Sequence, residues 1–164
     1  ESSEDVSGKE LSQSIQKIEI KNLNFSYKET NHIFDNYSSC FQKGKPEIIS
    51  WPSGEGKTTL VKILLKFISP GSGEVLINGT KLTEISTEYI RSRISYVPQT
   101  TFLFSDSIKN NLLIANQKAT ECEISSVLKM VCAKDFIEKL PNGIETKLSD
   151  NGKNLSAGQR QRIS

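Results

Sequence analysis

Ser53-Gly54-Glu55-Gly56-Lys57-Thr58-Thr59 is the stretch on which the reading of the fold turns. Small residues let the backbone aim its N–H groups at a phosphate, Lys57 can reach the outer phosphates of a nucleotide, and Thr58 can place a hydroxyl on Mg²⁺. Upstream lies the apolar pair Ile48-Ile49, and downstream Leu60 to Ile68 is apolar enough for a largely buried helix. The expected context is a strand, a phosphate-binding loop and a helix whose dipole faces the anion. One position departs from the pattern G-x-x-x-x-G-K-[ST], because Trp51 stands where its first glycine would be. Glycine permits backbone angles and close approaches that an indole does not. Trp51 is therefore expected to strain the loop or crowd the phosphates. The bland alternative is a glycine-rich turn before a helix, without a ligand.

Far downstream, Leu155 to Ser164 read LSAGQRQRIS. A serine followed by small residues at the start of a polar helix offers a hydroxyl and unpaired N–H groups to an anion. By physics alone, a plain helix capped by Ser156 is the simpler account. LSAGQ, however, resembles the LSGGQ signature of the ABC ATPase family, with Ala157 in place of the family's first glycine. The resemblance implies an α/β fold: a P-loop NTPase of ABC type with an N-terminal antiparallel β-subdomain and a helical subdomain. It also implies a core sheet that is incomplete in this chain, since the family's second acidic strand, catalytic Glu and switch His come after the signature. A chain ending at Ser164 is expected to expose apolar strand edges.

The resemblance assigns roles residue by residue. ATP and Mg²⁺ are the implied cofactors. Ser53, Gly54, Gly56, Lys57, Thr58 and Thr59 hold phosphates, and Thr58 and Gln99 serve Mg²⁺. Gln99, in Ile94-Ser95-Tyr96-Val97-Pro98-Gln99, matches the family's Q-loop glutamine, and with Lys57 forms the catalytic pair present in this chain. Tyr27, in Asn24-Phe25-Ser26-Tyr27, is the candidate ring for stacking on adenine, the alternative being an aromatic packed in the core. Ser156, Gly158 and Gln159 of the signature face the nucleotide of a second ABC ATPase domain, so that ATP is sandwiched between two copies.

YVPQTTFLFSDSIKNNL after Gln99 and LPNGIETKLSDNGKNLSAGQRQRI around the signature are similar to exporters rather than importers. Asp150 occupies the place usually held by Glu in a loop that contacts the transmembrane domain. The implied function is an ATP-binding domain on the cytoplasmic face of a membrane, coupling ATP binding and hydrolysis to export, with a transmembrane domain as partner. SDNGKNLS looks closest to exporters of bacterial peptides such as bacteriocins and lantibiotics. The runner-up is a degenerate ABC module that binds nucleotide weakly and acts through dimerisation, favoured by Trp51 and Ala157. By itself the chain is expected to be inactive.

Composition narrows the partners. The formal net charge of +2 comes from interspersed acids and bases, so no basic stripe points to nucleic acid. Lys62 and Lys66 interrupt the longest apolar stretch well short of a membrane span. Cys40, Cys122 and Cys132 lack metal-ligand spacing and read as reduced thiols, and His32 reads as a loop residue. Residues 1–14 are acidic and polar and read as a linker, which the resemblance implies joins an upstream transmembrane domain to an ABC ATPase domain at 15–164.

In order along the chain, Ile15 to Tyr27 alternates as a strand and Tyr37 to Gln42 supplies a second. Glu74 to Asn78 reads as a short strand closed by Asn78-Gly79, Thr87 to Ser92 as a helix, and Ile94 to Val97 as a buried strand. Ser105-Asp106 can cap a helix from Ser107 to Leu113, and Thr120 one from Glu121 to Val131 with Glu123 at the third position. Asp135 starts a helical turn that Pro141-Asn142-Gly143 stops.

Overall fold

The computed structural model describes residues 8–28, 31–51 and 55–164. Two long strands, β1 (Lys17–Lys28) and β2 (Asn31–Gln42), pair antiparallel from Lys17↔Gln42 to Lys28↔Asn31. The apolar alternation of β1 changes phase between Ile20 and Leu23, and the structure shows why. Asn22 takes a left-handed backbone (φ 49) inside a register shift, so both Ile20 and Leu23 face the core. Its N–H donates to the Ser38 hydroxyl at 2.9 Å.

Helix α1 (Glu55–Leu64) follows, then β3 (Ser72–Ile77) and the two-residue β4 (Thr80–Lys81), which complete an antiparallel sheet in the order β2-β1-β3-β4. The β3–β4 hairpin turns on Asn78 and Gly79, with φ of 50° and 82°, the positive angles a tight two-residue hairpin needs. The Asn78 side chain then accepts from the N–H groups of Gln16 (2.8 Å) and Lys17 (3.0 Å) and donates to the Ser14 carbonyl (3.0 Å). Residues ahead of the sheet are also attached: the Lys9 N–H donates to the Glu84 carbonyl at 2.7 Å, and Leu11 and Ile15 pack on the core. Helix α2 (Thr87–Arg93) is capped by Ser86, whose hydroxyl accepts from the Tyr89 N–H at 3.0 Å.

The chain divides after Tyr96 into two compact units. The first buries Ile20, Leu23, Phe34, Leu60, Ile63 and Ile77 between sheet and α1. The second is helical: α3 (Ile108–Ala115), α4 (Glu121–Met130), α5 (Lys134–Glu138) and α6 (Ala157–Ile163), around Leu103, Ile108, Leu128, Ile137, Leu155 and Ile163.

Several expectations require correction. Ile48-Ile49 forms no strand, and Ile48 is 99% exposed. Ile94 to Val97 is also non-repetitive, with Tyr96 and Val97 exposed. A strand exists only where a neighbour pairs with it, and none of the described strands pairs with either segment. The second strand begins at Asn31, six residues before Tyr37. Ser107, not Ser105-Asp106, caps α3, accepting from the Asn110 N–H at 3.1 Å, while Asp106 accepts from the Ser107 N–H at 2.7 Å. The α4 capping box of Thr120 and Glu123 is as expected.

Candidate functional site

The phosphate-binding stretch opens α1. Ser53 and Gly54 lie outside the described residues, and of Glu55 only the backbone is described. Gly56, Thr59 and Leu60 turn inwards, whereas Lys57 and Thr58 are exposed side by side at the first turn. An ammonium and a hydroxyl thus stand exposed where the α1 dipole is positive. Lys57 and Thr58 are the donor types that a nucleotide phosphate and a hard cation require.

Tyr27, from the end of β1, lies beside the same helix. Its hydroxyl shares a 3.2 Å hydrogen bond with the Thr59 hydroxyl, its ring meets Phe25 edge-on at 4.9 Å, and the Lys62 ammonium sits 5.9 Å from its centroid. Tyr27 is 46% exposed, so it is not a core aromatic.

Trp51 has a packing role that the sequence reading did not foresee. Its indole meets Phe34 edge-on at 5.0 Å and Tyr37 at 4.8 Å. It also lies directly against Gly56, where an added Cβ would fall on the indole Cδ1 and Nε1 and 2.6 Å from Cε2. The ring is therefore built into the first unit.

The signature residues lie in the second unit. Ser156 caps α6 through a reciprocal pair: its hydroxyl accepts from the Gln159 N–H at 3.2 Å, and Gln159 Oε1 accepts from the Ser156 N–H at 2.9 Å. Ser156, Ala157 and Gly158 are exposed, and a Cβ added to Gly158 would meet nothing within 4 Å. The cap uses an acceptor lone pair of the hydroxyl and leaves its proton available. Capping and anion contact are therefore compatible.

Gln99 is exposed and lines a cavity of about 360 Å³ with Thr101, Asn151, Lys153, Ala157 and Arg160. Asn151 and Arg160 are among those that the sequence did not single out. Asn151 has a left-handed backbone (φ 52), and its side-chain oxygen accepts from the Leu103 N–H at 3.0 Å, tying the segment after Gln99 to the loop before α6. Arg160 donates to the Leu155 carbonyl at 2.6 Å, bracing the same loop against α6. An asparagine near a glycine was the available signal for the first, while the second depends on tertiary geometry. Asp150 is exposed and accepts from the Lys153 ammonium at 2.8 Å, which holds its carboxyl below the ordinary range.

A second cavity of the helical unit, about 340 Å³ between α4 and α5, is lined by none of the sequence-predicted site residues. Among the described residues no group of three His, Cys, Asp or Glu is placed to hold a metal, and no helix is long and apolar enough to cross a membrane.

A helix opening on Gly56-Lys57-Thr58, a tyrosine hydrogen-bonded beside it and a serine-capped helix reading AGQRQRI make up the candidate site. Residues 34–164 match the family model described as ABC transporter, and the chain belongs to that family. Among curated proteins, it is 39% identical over 149 residues to a probable ABC transporter ATP-binding/permease protein of Haemophilus influenzae, covering 91% of this chain and 27% of that protein. It is 40% identical over 149 residues to an ATP-dependent lipid A-core flippase of Desulfotalea psychrophila, covering 91% and 26%. Among solved structures, a bacterial Atm1-family ABC exporter with ATP bound superposes with a TM-score of 0.89 at 29% identity, covering 95% of this chain and 27% of that one. The chain thus spans about a quarter of the length of these proteins.

Proposed function

We propose that this chain is the ATP-binding domain of an ABC exporter, working on the cytoplasmic face of a membrane with a transmembrane domain and a second ATP-binding domain. The observation that carries the reading is the exposed pair Lys57 and Thr58 at the first turn of α1, on the same helix as Thr59, which is hydrogen-bonded to Tyr27. Likeness to proteins named as ATP-binding/permease and flippase supports the export role over a degenerate regulatory module.

In this reading bound Mg²⁺ would supply neutralisation of phosphate charge, and Thr58 would be its side-chain partner on α1. Lys57 and the amides of the α1 start hold the phosphates by charge-assisted hydrogen bonds. Gly56 keeps the backbone approachable, Thr59 steadies the Tyr27 hydroxyl, and Tyr27 offers its face to the base. Ser156, Gly158 and Gln159 serve the nucleotide of the partner domain, Ser156 through the proton its cap leaves unused. A general base for the attacking water is not among the assigned residues. Hydrolysis is therefore proposed for the longer protein, and the chain alone is expected to bind ATP without turning it over.

Titration of the chain with a fluorescent ATP analogue and Mg²⁺ tests the reading. Lys57→Ala should weaken binding by roughly 10- to 100-fold, the span of a charge-assisted contact of about 1.5–3 kcal/mol. Unchanged affinity would remove the site from Lys57.

A further inference from the structure

We infer that Trp51 is a positioning residue for the phosphate-binding loop, its indole serving as the wedge that fixes where α1 begins. The inference rests on the reading that this chain binds nucleotide at Lys57. It starts from a weakness: α1 has only ten residues and carries a glycine in its first turn. Short helices are marginal without tertiary packing, and a helical glycine weakens them further. Something outside the helix must hold the turn that presents Lys57 and Thr58.

Trp51 is in place to do so. Phe34 is 1% exposed in the sheet core, and it and Tyr37 both pack edge-on with the indole. The indole also lies on Gly56, and only a residue without Cβ leaves room for that approach. The two departures from ordinary helix chemistry thus match one another, a large ring at 51 and no side chain at 56. Gly56 immediately precedes Lys57, so a shift of the indole displaces the turn that carries the ammonium. This reverses the expectation that the indole merely obstructs.

Trp51 is the only tryptophan in the sequence, which makes the wedge its own reporter. The experiment measures affinity for a fluorescent ATP analogue with Mg²⁺ in the parent chain, Trp51→Phe, Trp51→Gly and Lys57→Ala. It also follows Trp51 emission as unlabelled Mg-ATP is added. Trp51→Gly should weaken binding about tenfold, corresponding to about 1.4 kcal/mol, and Trp51→Phe should keep it within about threefold because a ring still fills the gap. Emission should change saturably at the concentration where nucleotide binds, and stay flat in Lys57→Ala.

If Lys57→Ala weakens binding while Trp51→Gly binds as tightly as the parent or tighter, the positioning role is overturned and the nucleotide site stands. If Lys57→Ala binds like the parent, the nucleotide reading itself has failed. Should Trp51→Gly not fold, the emission of the parent chain decides, and a flat signal through a saturating titration overturns the inference.

Discussion

In the first unit Ile18 meets Phe41 across one ladder and Ile77 across another, partners far away along the chain. In the second, Ser107 reaches Asn110, Thr120 reaches Glu123 and Ser156 reaches Gln159, each three residues on. The difference extends to the functional groups. Lys57 and Thr58 sit on a helix whose start leans on Trp51, and through it on Phe34 and Tyr37 of β2. Ser156 is held by its own helix. Damage to the sheet core should therefore travel to the phosphate loop, whereas a change at the signature should stay local.

The largest expected effect tests that separation. In a full-length, hydrolysis-impaired protein, ATP should promote pairing of the ATP-binding domains, and Ser156→Arg should abolish the pairing. Affinity of a single domain for ATP should stay nearly intact, because Tyr27, Lys57 and Thr58 belong to the first unit. Cross-linking or light scattering with and without ATP reads the first effect, and analogue titration the second. Loss of single-domain affinity as severe as that of Lys57→Ala would break the comparison and leave Ser156 as a helix cap only.

Next in size is Phe34→Ala. Phe34 is 1% exposed, with ring centroids of Tyr37 at 5.5 Å and Trp51 at 5.0 Å. Truncation of a buried phenylalanine costs roughly 3–5 kcal/mol. Hydrogen exchange should show α1 losing protection together with β1 and β2, because the indole that braces Gly56 loses its own support. A loss under about 1 kcal/mol by denaturant unfolding, or an α1 that stays protected, would mean that the phosphate loop does not depend on the sheet core.

The same contrast governs what could be read from the sequence. Thr120 with Glu123, Ser156 as the cap of α6 and Asn78 with Gly79 were legible because cap and turn chemistry acts between near neighbours. Lys57, Thr58 and Tyr27 were proposed from short motifs and the resemblance they carry. Ile48-Ile49 and Ile94 to Val97 were misread because apolar runs show a preference for burial but not the neighbour that must pair with them. The Trp51 wedge was hidden because its partners, Phe34, Tyr37 and Gly56, come together only in the tertiary fold. At β1 the phase change was visible as Ile20 followed by Leu23, but the left-handed Asn22 that resolves it was not.

The smallest expected effect is titration. Three carboxylates of the second unit are held below their ordinary range. Asp106 is lowered first by the Ser107 N–H and then by the Asn110 side chain, Glu123 by the N–H and then the hydroxyl of Thr120, and Asp150 by its hydrogen bond from Lys153. A carboxyl depressed in the folded state stabilises above its unfolded value, about 3.9 for Asp and 4.3 for Glu, and loses that contribution as pH falls through the folded value. Lys17 of the first unit is raised, chiefly by its hydrogen bond to Glu19, so its contribution is complete below about 10.4 and is lost as pH climbs through the folded value. Asp106, Glu123 and Asp150 are exposed and Lys17 is half-exposed, so each effect should be small and screened by salt. Acidification below about pH 4 should fray the starts of α3 and α4, where Asp106 and Glu123 accept from the N–H groups of the capping residues Ser107 and Thr120, and strong alkali should loosen the Lys17 end of β1. Residue-resolved amide exchange as a function of pH reads both, with Asp106→Asn as the control that should flatten the acid response at α3 alone. An acid response at α3 that persists unchanged in Asp106→Asn would show that the helix start is held by Ser107 without help from the carboxylate.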